Sequence, residues 1–137
     1  MSPHGIVKMS RWVRLEVYSP LIHGDKIIRL LHKNALKRQQ SIDINLDDNW
    51  VGFVAMTIIK AVGVALLNIS TNQIEYLEVE EKYKSLKVQD DLIKYMCKRF
   101  QPCHALVQTQ KAADWFKKHG FDVYYRTINN DWVCLWH

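Results

Sequence analysis

Residues 49–70, "NWVGFVAMTIIKAVGVALLNIS", constrain the fold more than any other part of the chain. Val, Ile and Phe dominate, and side chains of this shape suit pleated, extended backbone. The stretch reads as two strands with a short reversal near Thr57 to Ala61. Its longest apolar run, "AVGVALL", suits a buried strand and falls far below the roughly 20 residues that a membrane-spanning helix needs. Gly52 and Gly63 interrupt these strands, where glycine marks a bulge or the close approach of another backbone.

The flanking segments supply partners for that pair. "RWVRLEVYS" alternates, with Val13, Leu15 and Val17 on one side and Arg14, Glu16 and Tyr18 on the other. That pattern predicts a half-buried strand, ended by Pro20. "DKIIRLLHKNALKRQQ" spaces Ile27, Leu30, Leu31 and Ala35 by three and four, as a helix does, with Lys and Arg toward its C-terminal end. After the turn "STNQ", "IEYLEVE" is a further alternating strand. "LKVQDDLIKYMCKRF" carries Val88, Leu92, Ile93, Met96 and Phe100 on one helical stripe, and "CHALVQ" is a short strand. Thr109 is an N-cap for the helix "QKAADWFKKH", with the stripe Ala112, Trp115, Phe116 and His119. Gly120 fits a left-handed helix terminus. "FDVYYRTI" and "DWVCLWH" flank Asn129–Asn130, a hairpin signal. The order predicts an α/β (α+β) fold: a mixed, mostly antiparallel central sheet with helices on both faces, in a single domain over residues 1–137.

Size and composition bound the function. The 137 residues are 48% hydrophobic, enough for a core without disulfides or metals. Three cysteines, an odd number, point to reduced thiols. The start, "MSPHGIVKMSRW", lacks the apolar core of a signal peptide, so a soluble cytoplasmic protein with no membrane partner is expected. A net charge of +5 favours an anionic partner: a nucleic acid, a phosphorylated cofactor or an acidic protein. The aromatic residues sit mostly at alternating strand positions, as core residues do, and no nucleic-acid-binding motif matches, so direct nucleic-acid binding is not expected. Cys103, His104, Cys134 and His137 are metal-ligating types, but neighbours on a strand point to opposite faces, so no metal site is expected.

With these local patterns, the order of elements resembles the GCN5-related N-acetyltransferase (GNAT) family over nearly the whole chain, best over residues 61–126. "AVGVALLN" is similar to the family's third strand, "IEYLEVEEKYKSLKVQDDLI" to its fourth strand with the cofactor-binding loop and helix, and "TQKAADWFKKHGF" to its last helix. The resemblance implies acetyl-CoA as co-substrate and direct attack of an amine acceptor on the thioester. It places the pyrophosphate on N–H groups at a helix N-terminus, along Lys84, Ser85, Leu86, Lys87, Val88 and Gln89. It places the thioester arm beside Leu77 and Val79, with Thr109 and Phe116 contributed by the last helix.

Aligned on Val79, Lys84 takes the first position of the family's loop pattern Gln/Arg-x-x-Gly-x-Gly/Ala, and Lys87 and Gln89 take its glycine positions. Two ammonium groups would then stand in for close main-chain approach. Phe116 stands where many members carry a tyrosine that protonates the leaving thiolate, which a phenyl ring cannot do. A water, Tyr124 or Tyr125 would substitute, or the thiolate would leave unaided. Some members carry a glutamate early in the fourth strand; Gln73 stands there, which leaves Glu78 or Glu75 as the general base. Period two sets these on opposite faces unless a bulge intervenes. The same departures imply the alternative, a fold that has lost its chemistry and binds a protein or a nucleic acid.

Overall fold

The computed structural model of the chain describes residues 6–9, 12–38, 49–124 and 131–136. The stretch that dominates the sequence forms β3 (Trp50–Met56) and β4 (Ala61–Asn68), antiparallel to each other. Val54, Met56, Ala61, Val64 and Leu66 pack beneath α1 (Pro20–Arg38) on one face. Phe53, Ala55, Val62, Ala65 and Leu67 pack on the other face with α2 (Val88–Arg99) and α3 (Gln110–Lys118). Burial on both faces is why the run is apolar throughout rather than alternating. Gly52 is obligatory for a steric reason: a Cβ there would lie 1.9 Å from the carbonyl oxygen of Ala65.

Among the described residues, eight strands form one sheet in the order β1-β2-β3-β4-β5-β6-β8-β7. These are β1 (Ile6–Met9), β2 (Arg14–Val17), β5 (Gln73–Val79), β6 (Cys103–Val107), β7 (Asp122–Tyr124) and β8 (Trp132–Trp136), with β3 and β4 between. Among the described residues, only β5 and β6 are parallel neighbours. The predicted mixed, mostly antiparallel sheet with helices on both faces is therefore observed. Among the described residues, no helix is long and apolar enough to cross a membrane.

The structure departs from the sequence expectations in several places. β1 is an additional edge strand, and a 3₁₀ helix (Glu81–Leu86) precedes α2. Four and six residues are too few to show a period. Pro20 does not merely end β2; it is the first residue of α1, five residues ahead of the expected start. Proline suits that position because its fixed φ is helical and its missing N–H has no helical partner to lose. β2 is not half-buried: Glu16 and Tyr18 are as buried as Leu15, while Val17 is exposed. His23 of α1 reaches Glu16 at 3.0 Å, and Arg14 pairs with the same carboxylate. The N–H of Ser19 donates to His23 Nδ1 at 2.9 Å, which leaves Nε2 to carry the proton donated to Glu16. Burial opposes ionisation of Glu16, but the hydrogen bonds from His23 and Arg14 outweigh it and hold the carboxyl below its ordinary range.

In α3 the inward stripe is Ala113 and Phe116; Ala112 is only half-buried, one position off the expected register. The cap is as expected: Thr109 Oγ1 accepts from the N–H of Ala112 at 3.2 Å. At the other end Gly120 adopts φ +94°, its N–H donates to Lys117, and the N–H of Phe121 donates to Phe116. The rings of Phe116 and Phe121 meet edge to face at 4.9 Å, completing the hydrophobic contact of this helix stop. The Asn129–Asn130 turn, Tyr125 and His137 lie outside the described residues.

Candidate functional site

β5 and β6 begin as neighbours and then part. Gln73 pairs with His104, and the His104 N–H donates to the Asn72 carbonyl at 3.0 Å. No further β5–β6 pair follows among the described residues. Beyond that point β5 stays with β4 and β6 stays with β8. A cavity of about 680 Å³ opens between them, lined by Glu75 and Leu77 from β5, Ala105 and Val107 from β6, and Thr109 and Phe116 at α3. Gln89, in the first turn of α2, also borders it. The parted strands expose main-chain groups to this space, a surface no side chain pattern could build.

The alternation of β5 decides which carboxylate enters, and a bulge adjoins it. Leu66 pairs with Tyr76 and Leu67 with Ile74, so Glu75 is the extra residue on β5. It lines the cavity together with Ile74 and Leu77. Glu78 pairs with Val64, a residue of the α1-side core, and does not border the cavity. The period-two expectation that sets these two acids on opposite faces therefore holds, and the bulge instead brings Ile74 to the same side as Glu75 and Leu77.

The rim is the junction of the 3₁₀ helix with α2. Lys87 sits there at φ 60° and ψ 24°, left-handed for a residue with a side chain. Glycine in the family pattern at this position would adopt that backbone freely. The N–H of Asp91 donates to the Lys87 carbonyl, so the N–H groups of Val88, Gln89 and Asp90 precede the first helical bond. Val88 and Val79 are buried, and a Cβ on Gly63 would touch both at 3.2 Å. Only their main chains can face a ligand. Lys84 and Lys87 are exposed and do not line the cavity; Lys84 pairs with Glu81 at 3.0 Å. Ser85 and Leu86 belong to the 3₁₀ helix, which positions their main chain beside this rim.

Acidic groups also mark the rim. Asp90 and Asp91 lie in the first turn of α2, where they complement the helix dipole. His119 lies with Nε2 2.7 Å from Asp90 and donates through Nδ1 to the Trp115 carbonyl, tying the end of α3 to the start of α2. The sequence reading missed this link because the two residues are far apart in the chain. Tyr124 is exposed on β7, separated from β6 by β8, and does not line the cavity. Among the described residues no tyrosine borders it, so the expected replacement for a tyrosine at Phe116 is not supplied by Tyr124.

The thiols lie elsewhere. Cys97, Cys103 and Cys134 are free and buried. A hydrogen bond to Cys103, together with burial, pushes the Cys97 thiol up, and burial pushes Cys134 up to about 11. Neither is poised as a nucleophile.

No sequence-family profile matches the chain, and no curated protein matches it. Solved structures do. Ard1 from Thermoplasma volcanium is similar with a TM-score of 0.66 at 14% identity, over 91% of this chain and 96% of that one. A GNAT-family acetyltransferase from Staphylococcus aureus Mu50 is similar with a TM-score of 0.67 at 15% identity, over 89% and 97%. PaiA N-acetyltransferase from Thermoplasma acidophilum, in complex with coenzyme A, is similar with a TM-score of 0.66 at 16% identity, over 93% and 98%. The chain has the fold of the GNAT acetyltransferases.

Proposed function

We propose that the chain is an acetyl-CoA-dependent N-acetyltransferase, working as one domain in the cytoplasm. The observation that carries this is the parting of β5 from β6, which opens a cavity of about 680 Å³ ending at the N-terminus of α2. That volume suits a drug-sized ligand, and the free N–H groups of Val88, Gln89 and Asp90 suit its phosphates. The structure of PaiA with coenzyme A supports the reading by likeness of fold.

Acetyl-CoA would supply an activated acyl carbon. The residues would do the rest. Main-chain N–H groups of β5 near Leu77 and Val79 polarise the thioester carbonyl. Glu75, on the cavity side of β5 with Leu77, accepts the proton that the amine loses as it attacks. Glu78, on the α1 side of the same strand, lies off the cavity and is not the base. Thr109 and Phe116 wall the opposite side, Phe116 as packing and not as acid. Coenzyme A departs as a thiolate and takes its proton from water. Lys84 and Lys87 add positive charge at the rim, offsetting Asp90 and Asp91.

A second reading has its own support. Phe116, the glycine-free loop and two acids at the rim fit a binding module that keeps the fold without turnover and takes a protein or nucleic-acid partner. Calorimetry and thermal shift with acetyl-CoA separate the two. Ligand at 100 times its Kd adds about 2.7 kcal/mol of stability. Binding with acetyl transfer to an amine panel supports the enzyme, and no shift at millimolar acetyl-CoA refutes it. Lys84→Glu with Lys87→Glu should weaken binding; unchanged affinity removes those lysines from the site.

A further inference from the structure

The turn between β3 and β4 places the wrong residues in a well-built frame. The Thr57 N–H donates to the Lys60 carbonyl at 2.9 Å, and Thr57 Oγ1 accepts from the N–H groups of Ile59 and Lys60. Ile58 and Ile59 occupy the two central positions, 91% and 85% exposed. Tight turns favour Gly, Asn, Asp or Ser there, and β-branched side chains gain nothing from the position. Trp12, 63% exposed, leads into β2 at the same end of the sheet, since Arg14 pairs with Met56. Local turn chemistry is thus broken at a point where the fold gives no packing in return, the mark of a contact made with something outside the chain.

The charge around the turn is positive. Lys60 pairs with Glu80 at 3.1 Å, Arg29 pairs with Glu80 at 3.3 Å, and the Glu80 N–H donates to Val62. These contacts fasten the turn to Glu80. Leaving aside Lys84, which pairs with Glu81, the cations Arg29, Lys60 and the exposed Lys82 stand around the single carboxylate of Glu80.

We propose that Ile58 and Ile59 insert into an anionic lipid surface, with Trp12 at the headgroup level and the surrounding cations on lipid phosphates. The shape decides between occupants. Three side chains on a convex tip fall far short of the roughly 800 Å² per partner that a stable protein interface buries. A bilayer accepts a convex tip without a matching hollow, Trp favours its interface, and its negative surface attracts basic segments. This attachment revises the expectation of no membrane partner, requires no membrane-spanning helix, and stands apart from the acetyl-transfer reading.

The test is co-sedimentation of the full chain with phosphatidylcholine vesicles, pure or with about 30% phosphatidylglycerol, at about 1 mM lipid. The protein partitions onto the anionic vesicles, and Ile58→Ser with Ile59→Ser lowers the partition coefficient by about tenfold or more. The melting temperature of the double variant stays that of the parent, since both side chains are exposed. Raising salt to about 0.5 M weakens binding of the parent. Three results overturn the proposal: no partition onto anionic vesicles, equal partition of parent and double variant, or self-association in solution that the double variant abolishes while vesicles bind neither.

Discussion

Lys87 joins the 3₁₀ helix to α2 with φ 60° and ψ 24°, a backbone that costs a residue with a side chain about 1–2 kcal/mol. Its exposed side chain has no packing to lose. Lys87→Gly removes that strain and adds back the greater freedom of glycine in the unfolded chain, about 0.5–1 kcal/mol. The net expectation is a gain of about 0.5–1 kcal/mol, or roughly 2–4 °C in melting temperature for a chain of this size. Lys87→Ala keeps the strain, loses the same side chain and serves as the control. Urea denaturation measures both, with the gain read from the midpoint at unchanged slope. If glycine is no better than alanine, the left-handed backbone is not where the cost lies, and the account of this rim as a glycine position filled by lysine fails.

Three further outcomes test other parts of the structure. Gly52→Ala forces a Cβ against the Ala65 carbonyl at 1.9 Å and should cost about 3 kcal/mol; a melting temperature within about 1 °C of the parent contradicts the close approach. Glu75→Gln should lower kcat by about 10²- to 10⁴-fold while acetyl-CoA affinity stays within about twofold, measured by steady-state kinetics and calorimetry; full activity would show that another group takes the proton. Glu16 titrates below its ordinary range in the folded protein, so its contribution is present above the unfolded value and is lost as pH falls through the folded one. Stability should therefore decline as pH drops below about 4, and Glu16→Gln should flatten that acid limb in denaturation midpoints; an unchanged limb would mean that other carboxylates carry it.

Much of the fold is legible in the chain because the strongest signals are long. The 49–70 stretch could only be a buried strand pair, and Thr109 and Gly120 bracket α3 by chemistry that needs no tertiary context. β1 and the 3₁₀ helix escape because they are shorter than the windows in which periodicity shows. Glu16 escapes because its burial depends on His23 and Arg14. The site is legible to a lesser degree. Leu77, Gln89, Thr109 and Phe116 border the cavity, and alternation from Leu77 brings Glu75 in with them, whereas Ile74 joins that side only through a bulge that no alternation rule can place. Tyr124 lies too far along the sheet, two strand spacings from β6, to serve there.

The single Gln73–His104 pairing has a mechanical consequence. Among the described residues five strands lie to one side of that seam and three to the other, so the hydrogen-bonded ladder is nearly severed in midsheet and the two blocks are joined through the shared core beneath them and the His119–Asp90 link. An elongated molecule lying in the gap would meet peptide groups on both banks and act as a rung between them. Amide hydrogens along the two facing margins should then be among the quickest to exchange in the empty protein and the most slowed once the gap is filled.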